Sequence, residues 1–240
     1  MLHVGAAKLS INPPLPADPQ GYVRRSVSAM AHGDPLLATA VVFETSDCAV
    51  AVIAADLAGQ DHHMANAMRS AVASTIPVPA TNVMVNASHS HAAPWARTDG
   101  AKLGGGHDHF TDAELAYVNR LPHEFATVAL QAWNARRPAR AAGGTGRVPG
   151  LAVNRRERTS DGRTILGWNP DLTMDDAVPT IRVDGLDGEA IATITAFGCH
   201  PVVVGPEIAK TGSDFVGPLR RRVEHLRGGV CVFLQGAAGN

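Results

Sequence analysis

The sequence lacks three features that would assign it to a specialised class of protein. It has no basic run longer than Arg220-Arg221-Arg222 and its formal net charge is -1, so it carries no electrostatic signature of nucleic-acid binding. No apolar run approaches the roughly 20 residues of a membrane-spanning helix, and the N-terminus has neither the charged start nor the long apolar stretch of a signal peptide. These absences predict a cytoplasmic protein with no integral membrane segment, which binds no nucleic acid and has a small molecule as its partner.

Cysteine is also scarce. The three cysteines, Cys48, Cys199 and Cys231, each lie in or beside an apolar run and have no paired spacing. This distribution predicts reduced, buried thiols rather than a disulfide framework. A chain of 240 residues, 45% of them hydrophobic, can bury a substantial core without such cross-links.

Apolar runs separated by turn residues predict the strands, and apolar residues at a spacing of four predict the helices. Met64, Met68 and Val72 show that helical spacing. Strands are predicted at Ala38–Glu44 with Cys48–Ala55 and at Pro179–Asp184 with Ala190–Phe197, each pair forming a hairpin, and at Val230–Leu234. One helix is predicted at Gln60–Thr75. A second is predicted from a capping box at Thr111 and Glu114 to about Arg136, with a break or kink at Pro122. A third is predicted from an N-cap at Ser213 to about Arg227. Hairpins that alternate with long helices are typical of a layered α/β sandwich with mixed β-sheets flanked by helices.

The most informative short segment is His89-Ser90-His91, which follows the apolar run Val83-Met84-Val85. If the strand continues to His91, both imidazoles lie on one face, because side chains alternate along a strand. Neutral imidazole is the commonest protein ligand for zinc, and small neighbours leave room for a substrate. Two polar residues leaving a sheet would produce the same short pattern, so the spacing alone leaves both interpretations open.

Three further apolar runs also end in polar residues, at Asp56, at His200 and at Gln235. In layered α/β proteins, ligands and catalytic groups gather where strands end. We therefore expect His200 to converge with His89 and His91 in one site. Asp56 could orient a ligand histidine or cap its own strand, and the sequence leaves these two roles open.

The glycine-rich segment Gly104–His109 contains two more histidines, His107 and His109. It could form a second metal site or an exposed active-site loop. Histidines flanked by glycine lack a rigid scaffold that would hold them in ligand geometry, which favours the loop.

Short motifs along nearly the whole chain also carry a resemblance. They are Val4-Gly5-Ala6-Ala7-Lys8 with Ile11-Asn12-Pro13-Pro14, Gly21-Tyr22, Asp34-Pro35-Leu36, Ala54-Ala55-Asp56-Leu57, Ser88-His89-Ser90-His91-Ala92-Ala93-Pro94, Val153-Asn154-Arg155, Cys199-His200-Pro201-Val202 and Phe233-Leu234-Gln235-Gly236-Ala237-Ala238-Gly239. In this order they resemble the neutral (alkaline, non-lysosomal) ceramidases and their bacterial homologues. The family's Thr-His-Thr-His-Ser-Gly-Pro is similar to the motif at 88–94, with Ala92-Ala93 in place of Ser-Gly.

The resemblance implies a zinc-dependent amidohydrolase that cleaves the amide bond of an N-acyl lipid, such as ceramide, or of a related N-acyl compound. It implies that His89 and His200 are zinc ligands and that Arg155 contacts the substrate or the developing oxyanion. It implies that His91 either supports the metal ligands or is a catalytic histidine, near the bound water or the leaving group. The family completes its zinc site with a glutamate and a tyrosine from further along the chain, and it places a functional serine just after the Gln-Gly motif. None of these three has a counterpart before Asn240.

Residues 1–240 are therefore expected to form a single domain, the N-terminal portion of a ceramidase-like domain that continues past Asn240, with weak zinc binding and little turnover on its own. The alternative is a noncatalytic ligand-binding protein of the same fold. Metal-dependent phosphoester hydrolysis ranks behind both, because it would need more carboxylate ligands than Asp56 and Asp214 can supply.

Overall fold

The computed structural model describes residues 1–22, 27–102 and 109–239. Within these ranges the chain forms three α-helices, fourteen strands and a short 3-10 helix at Ala80–Asn82. The strands are β1 His3–Ser10, β2 Ala31–His32, β3 Leu37–Glu44, β4 Ala49–Ala55, β5 Gly59–Gln60, β6 Val83–Ala87, β7 Trp95–Ala96, β8 Arg137–Arg147, β9 Asn154–Arg158, β10 Thr164–Asn169, β11 Ala177–Gly185, β12 Ala190–Phe197, β13 Lys210–Thr211 and β14 Val230–Gln235. The helices are α1 His62–Ala73, α2 Asp112–Asn134 and α3 Val216–Arg227.

Among the described residues, eight strands form one mixed sheet in the order β14-β12-β11-β8-β1-β3-β4-β6. The pairs β3 with β4 and β11 with β12 are antiparallel, so both predicted hairpins are confirmed. The pairs β4 with β6 and β12 with β14 are parallel. The segments that carry the polar residues predicted at strand ends follow β4, β6, β12 and β14. Because each of these pairs is parallel, the ends of β4 and β6 lie side by side, and so do the ends of β12 and β14.

The first two helices cover one face of the sheet. Met68 of α1 and Phe125 of α2 share a buried cluster with Ile53 of β4. On the opposite face, Val41 of β3 packs in a second cluster with Val232 of β14, so the sheet folds over and its two ends pack face to face.

The third helix lies on the far side of β14, where Val216 and Phe233 share a buried cluster. The layers are therefore helix, sheet, sheet and helix. This arrangement confirms the predicted layered α/β sandwich with a mixed sheet flanked by helices.

The helix boundaries agree with the sequence in two places and differ in two. The capping box is confirmed, since the Glu114 N–H donates to Thr111 Oγ1 at 3.3 Å and the Thr111 N–H donates to Glu114 Oε2 at 2.8 Å. The predicted stop after Arg227 is also confirmed, with Gly228 at φ 73°. Of the break or kink predicted at Pro122, the break is wrong, because α2 is continuous to Asn134. Its buried apolar face outweighs the loss of one backbone hydrogen bond at the proline.

The predicted N-cap at Ser213 is wrong. Helix α3 begins at Val216 with Phe215 at the N-cap position and no side-chain cap. Asp214 adopts a left-handed conformation, φ 54°, and its own Oδ1 accepts the Phe215 N–H at 2.7 Å. This turn displaces Ser213 from the capping position, and its buried hydroxyl has no hydrogen-bond partner among the described residues.

Two of the three cysteines are buried as predicted, Cys199 and Cys231. The prediction is wrong for Cys48, which is exposed. Cys48 lies at the end of the β3–β4 turn, where its carbonyl accepts the Thr45 N–H at 2.8 Å, and it therefore points away from the core. Over the described ranges, no helix is both long enough and apolar enough to cross a bilayer.

Candidate metal centre

His89 and His91 lie in a turn that follows β6, not in the strand itself. The strand ends at Ala87 and His89 has a left-handed backbone, φ 64°. The two imidazoles are therefore not aligned by alternation along a strand, and that part of the prediction is wrong. The rings nevertheless meet, with the two Nε2 atoms 3.4 Å apart and the ring planes nearly perpendicular at 88°.

Three contacts with the segment Ala55–Ala58, at the end of β4, hold Ser88 and His89. The Ser88 N–H donates to Ala55 O and the His89 N–H donates to Leu57 O, both at 2.9 Å. The His89 Nδ1 lies 2.5 Å from Ala58 O. A carbonyl oxygen can only accept, so Nδ1 must carry the proton. In the neutral ring this leaves the Nε2 lone pair directed at the other histidines.

His91 is enclosed by the backbone and by one aromatic ring. Its N–H donates to Pro201 O at 3.2 Å. A Cβ on Gly21, where φ is 115°, would lie only 2.5 Å from the imidazole, so the Gly21 backbone packs directly against the ring. The ring of Tyr22 makes an edge contact with the same imidazole at a centroid distance of 4.9 Å. With 9% of its surface exposed, His91 is a buried polar residue.

His200 reaches the same place from the other end of the sheet. It follows the end of β12 at Phe197, and only 7% of its surface is exposed. Its ring centroid lies 4.7 Å from that of His89 and 5.1 Å from that of His91. The ligand atoms that the three side chains offer lie within 4.8 Å of one another. The predicted convergence of three histidines is confirmed, and this histidine cluster could hold a metal ion.

The environment keeps His200 neutral. Burial, followed by the charges of His89 and Arg155, lowers the pKa of His200 from 6.5 to about 4. Neutral imidazole is the form that binds a metal. At neutral pH no proton therefore competes at this residue.

Arg155 lies in β9, on the short β9–β10 hairpin, and is half-buried. Its charge acts on His200, so the structure brings the predicted catalytic arginine close enough to influence the histidine cluster. A fixed positive charge beside a metal site can stabilise a developing oxyanion.

The remaining predictions concern residues outside the cluster. The Asp56 carboxylate makes no direct hydrogen bond to a histidine among the described residues, because it binds the guanidinium of Arg220 and the Leu37 N–H. Of the glycine-rich segment, residues 103–108 are outside the described part of the chain, and His109 is exposed and not in the cluster. Sequence reasoning assigned no role to Gly21 and Tyr22, although their position in a conspicuous Gly-aromatic motif was a signal for a close contact.

Comparison with known proteins places this geometry in a recognisable fold. No protein-family model and no curated protein sequence matches the chain. Among solved structures, the neutral ceramidase from Pseudomonas aeruginosa is 18% identical with a TM-score of 0.80, covering 100% of this chain and 39% of that one. A ceramidase complexed with C2 is 19% identical with a TM-score of 0.73, covering 100% of this chain and 38% of that one. The chain is thus a layered α/β protein with a histidine cluster at its strand ends. It has the fold of part of a ceramidase, as the resemblance implied, and it spans about two fifths of the length of these structures.

Proposed function

We propose that this chain supplies the histidine centre of a zinc-dependent amidohydrolase that cleaves the amide bond of an N-acyl lipid or related N-acyl compound. The observation that carries the proposal is the convergence of His89, His91 and His200 within 4.8 Å. It is supported by the likeness of the whole fold to structures of ceramidases.

The donor set fits zinc. Two nitrogens bound at about 2.0 to 2.1 Å to a tetrahedral zinc ion lie roughly 3.3 Å apart. The Nε2 atoms of His89 and His91 are 3.4 Å apart, and the ligand atoms of all three histidines lie within 4.8 Å of one another, so an ion held by His89 and His200 would have His91 close to it. A metal-binding histidine commonly donates its other ring N–H to a carbonyl, which fixes the tautomer and orientation. The bond from His89 Nδ1 to Ala58 O does this.

Each residue then has a distinct role. His89 and His200 would hold the ion, and a bound zinc ion supplies a hydroxide nucleophile by lowering the pKa of a water to about 7. His91 is fixed by Gly21 and Tyr22, and its Nε2 would accept or return a proton near the scissile bond. Arg155 would stabilise negative charge on the carbonyl oxygen.

The distances also allow His91 to serve as a third ligand, because its Nε2 is close to that of His89. The test of the proposal is zinc stoichiometry and affinity in the His89→Ala, His200→Ala and His91→Ala variants, with exposed His63→Ala as the matched control. We expect His89→Ala and His200→Ala to lose stoichiometric zinc. His91→Ala keeps zinc if it handles protons and loses it if it is a ligand. Full zinc retention in both His89→Ala and His200→Ala would refute the metal centre.

The chemistry needs its own measurement. Because slow turnover is expected, the protein is mixed in excess with N-acyl sphingosine or an N-acyl amino acid, and release of the fatty acid is followed over a single turnover. We expect release that stops with a chelator and returns with zinc, and that is slowed in Arg155→Met without loss of zinc. Saturable substrate binding with no release would favour the noncatalytic binding protein.

A further inference from the structure

We propose that the buried ion pair between Asp56 and Arg220 is a positioning pair that holds the histidine cluster in its metal-binding geometry. This inference rests on the proposed metal function of the cluster. Neither residue touches the three imidazoles through a hydrogen bond in the described part of the chain, so both act through the backbone that carries the histidines.

The ion pair is inaccessible to water and joins distant parts of the chain. Asp56 is 0% exposed and Arg220 is 4% exposed. The two guanidinium nitrogens of Arg220 bind the two carboxylate oxygens of Asp56, at 3.0 Å for Oδ1 and 2.5 Å for Oδ2, across 164 positions of sequence. A planar, two-point pair of this kind fixes orientation as well as distance.

The Asp56 side of the pair controls His89. Asp56 lies inside the segment Ala55–Ala58, whose three other residues each accept a hydrogen bond from Ser88 or His89. His89 has φ 64°, a left-handed conformation that is uncommon for residues other than glycine and that persists only where the surroundings hold it. A fixed Asp56 keeps the three carbonyl groups where they can hold this turn.

The Arg220 side of the pair controls the loops of His91 and His200. Arg220 lies in the first turns of α3, and this helix begins directly after the segment 212–215. Gly212 O accepts the Ser90 hydroxyl at 2.7 Å, and the Gly212 N–H donates to Ala92 O at 2.9 Å, on either side of His91. Asp214 Oδ2 accepts the Val204 N–H at 2.7 Å, in the loop that follows His200. Because the ion pair anchors α3 to Asp56, it fixes the loops of His91 and His200 relative to the turn that carries His89.

A second ion pair on the same helix is the natural control. Lys8 Nζ binds Glu224 Oε2 at 2.7 Å, but the Lys8 side chain is 46% exposed. Among the described residues, no hydrogen bond joins either side chain to the segments that carry the histidines. Loss of Lys8 therefore removes an ion pair from α3 without moving the cluster.

The experiment compares wild type, Arg220→Met, the charge-balanced double variant Asp56→Asn with Arg220→Met, and Lys8→Met, each as the full chain. Cobalt(II) titration reports affinity, and the visible absorption of the bound ion reports coordination geometry. We expect affinity to fall roughly 10-fold to 100-fold and the visible bands to shift in both pair variants, with no change in Lys8→Met. The double variant leaves no unpaired buried charge, so it keeps a folded sample available if Arg220→Met does not fold.

A metal-free readout separates this proposal from the proposed function. In the chelated protein, the His89 Nδ1–H bonded to Ala58 O gives a slowly exchanging imidazole proton signal in NMR spectra, and we expect the signal to be lost in the pair variants and kept in Lys8→Met. If wild type binds no cobalt, the metal centre fails and this signal alone decides the positioning role. A folded double variant with wild-type cobalt spectrum, affinity and imidazole signal would overturn the proposal.

Discussion

Gly21 packs its backbone against the imidazole of His91 so closely that a Cβ there would lie 2.5 Å from the ring. Even an alanine at this position must displace His91 or shift the loop. We expect Gly21→Ala to weaken cobalt or zinc binding about tenfold, the lower end of what loss of a supporting contact costs a metal site. The measurement is a metal titration by competition with a chelating dye.

The control for this substitution is Gly150→Ala. Gly150 also has a positive φ, 76°, but a Cβ added there would meet no described atom within 4 Å. It therefore places an alanine at a positive φ without the clash. Equal metal affinity in Gly21→Ala and wild type would show that His91 tolerates the displacement.

Tyr22 supports the His200 loop through its hydroxyl. This group shares its proton between Val202 O and Val204 O, each at 3.0 Å. We expect Tyr22→Phe to free this loop, weakening metal binding several-fold with a stability loss of about 1 kcal/mol. Tyr117→Phe is the matched control, because the Tyr117 hydroxyl also donates to a backbone carbonyl, Ile11 O at 2.9 Å, away from the cluster. A similar loss of affinity in both variants would contradict a specific role for Tyr22.

Stability should depend on pH through His200. Its pKa is lowered from 6.5 to about 4 in the folded protein, so between these values the unfolded chain binds more protons than the folded one. Stability from this residue is therefore complete above about pH 6.5 and is lost progressively as the pH falls towards 4. We expect the denaturant midpoint of the chelated protein to fall between pH 7 and pH 5, and to fall less in His200→Gln. An unchanged pH dependence in His200→Gln, with His63→Gln as control, would contradict this assignment.

Thiol labelling should separate the three cysteines. Cys48 is exposed, whereas Cys199 and Cys231 are buried, and burial raises the pKa of the Cys231 thiol to about 12. Since the thiolate is the reactive form, we expect a disulfide reagent to modify one thiol in the native protein and three in denaturant. The Cys48→Ser variant should show no fast-reacting thiol, and any fast-reacting thiol found there would argue for local opening of the core.

The sequence predicted the layers because their signals are local. The hairpins at 38–55 and 179–197 depend on apolar runs and turn residues a few positions apart, and the capping box on Thr111 and Glu114. The errors at Pro122 and Ser213 arose where tertiary packing and the left-handed turn at Asp214 overrode a local preference.

The candidate site was predictable in membership but not in geometry. His89, His91 and His200 could be selected because each follows an apolar run. Strand alternation could not explain how the first two meet, since the chain leaves the sheet at Ala87 and turns back through a left-handed His89. The ion pair of Asp56 with Arg220 could not be predicted either, because no local pattern indicates a contact across 164 positions of sequence.

His89 and His200 stand more than a hundred positions apart in the sequence and meet only because the two ends of the sheet pack face to face. An unfolded chain therefore offers a metal two isolated, weak imidazole sites rather than one strong one. An ion that binds the cluster would therefore bind the folded protein much more tightly than the unfolded chain. A saturating concentration of metal should then raise the melting temperature, and the increase should follow the logarithm of the metal concentration. At the proposed metal centre, an ion would therefore stabilise the folded sandwich, in which the three histidines meet.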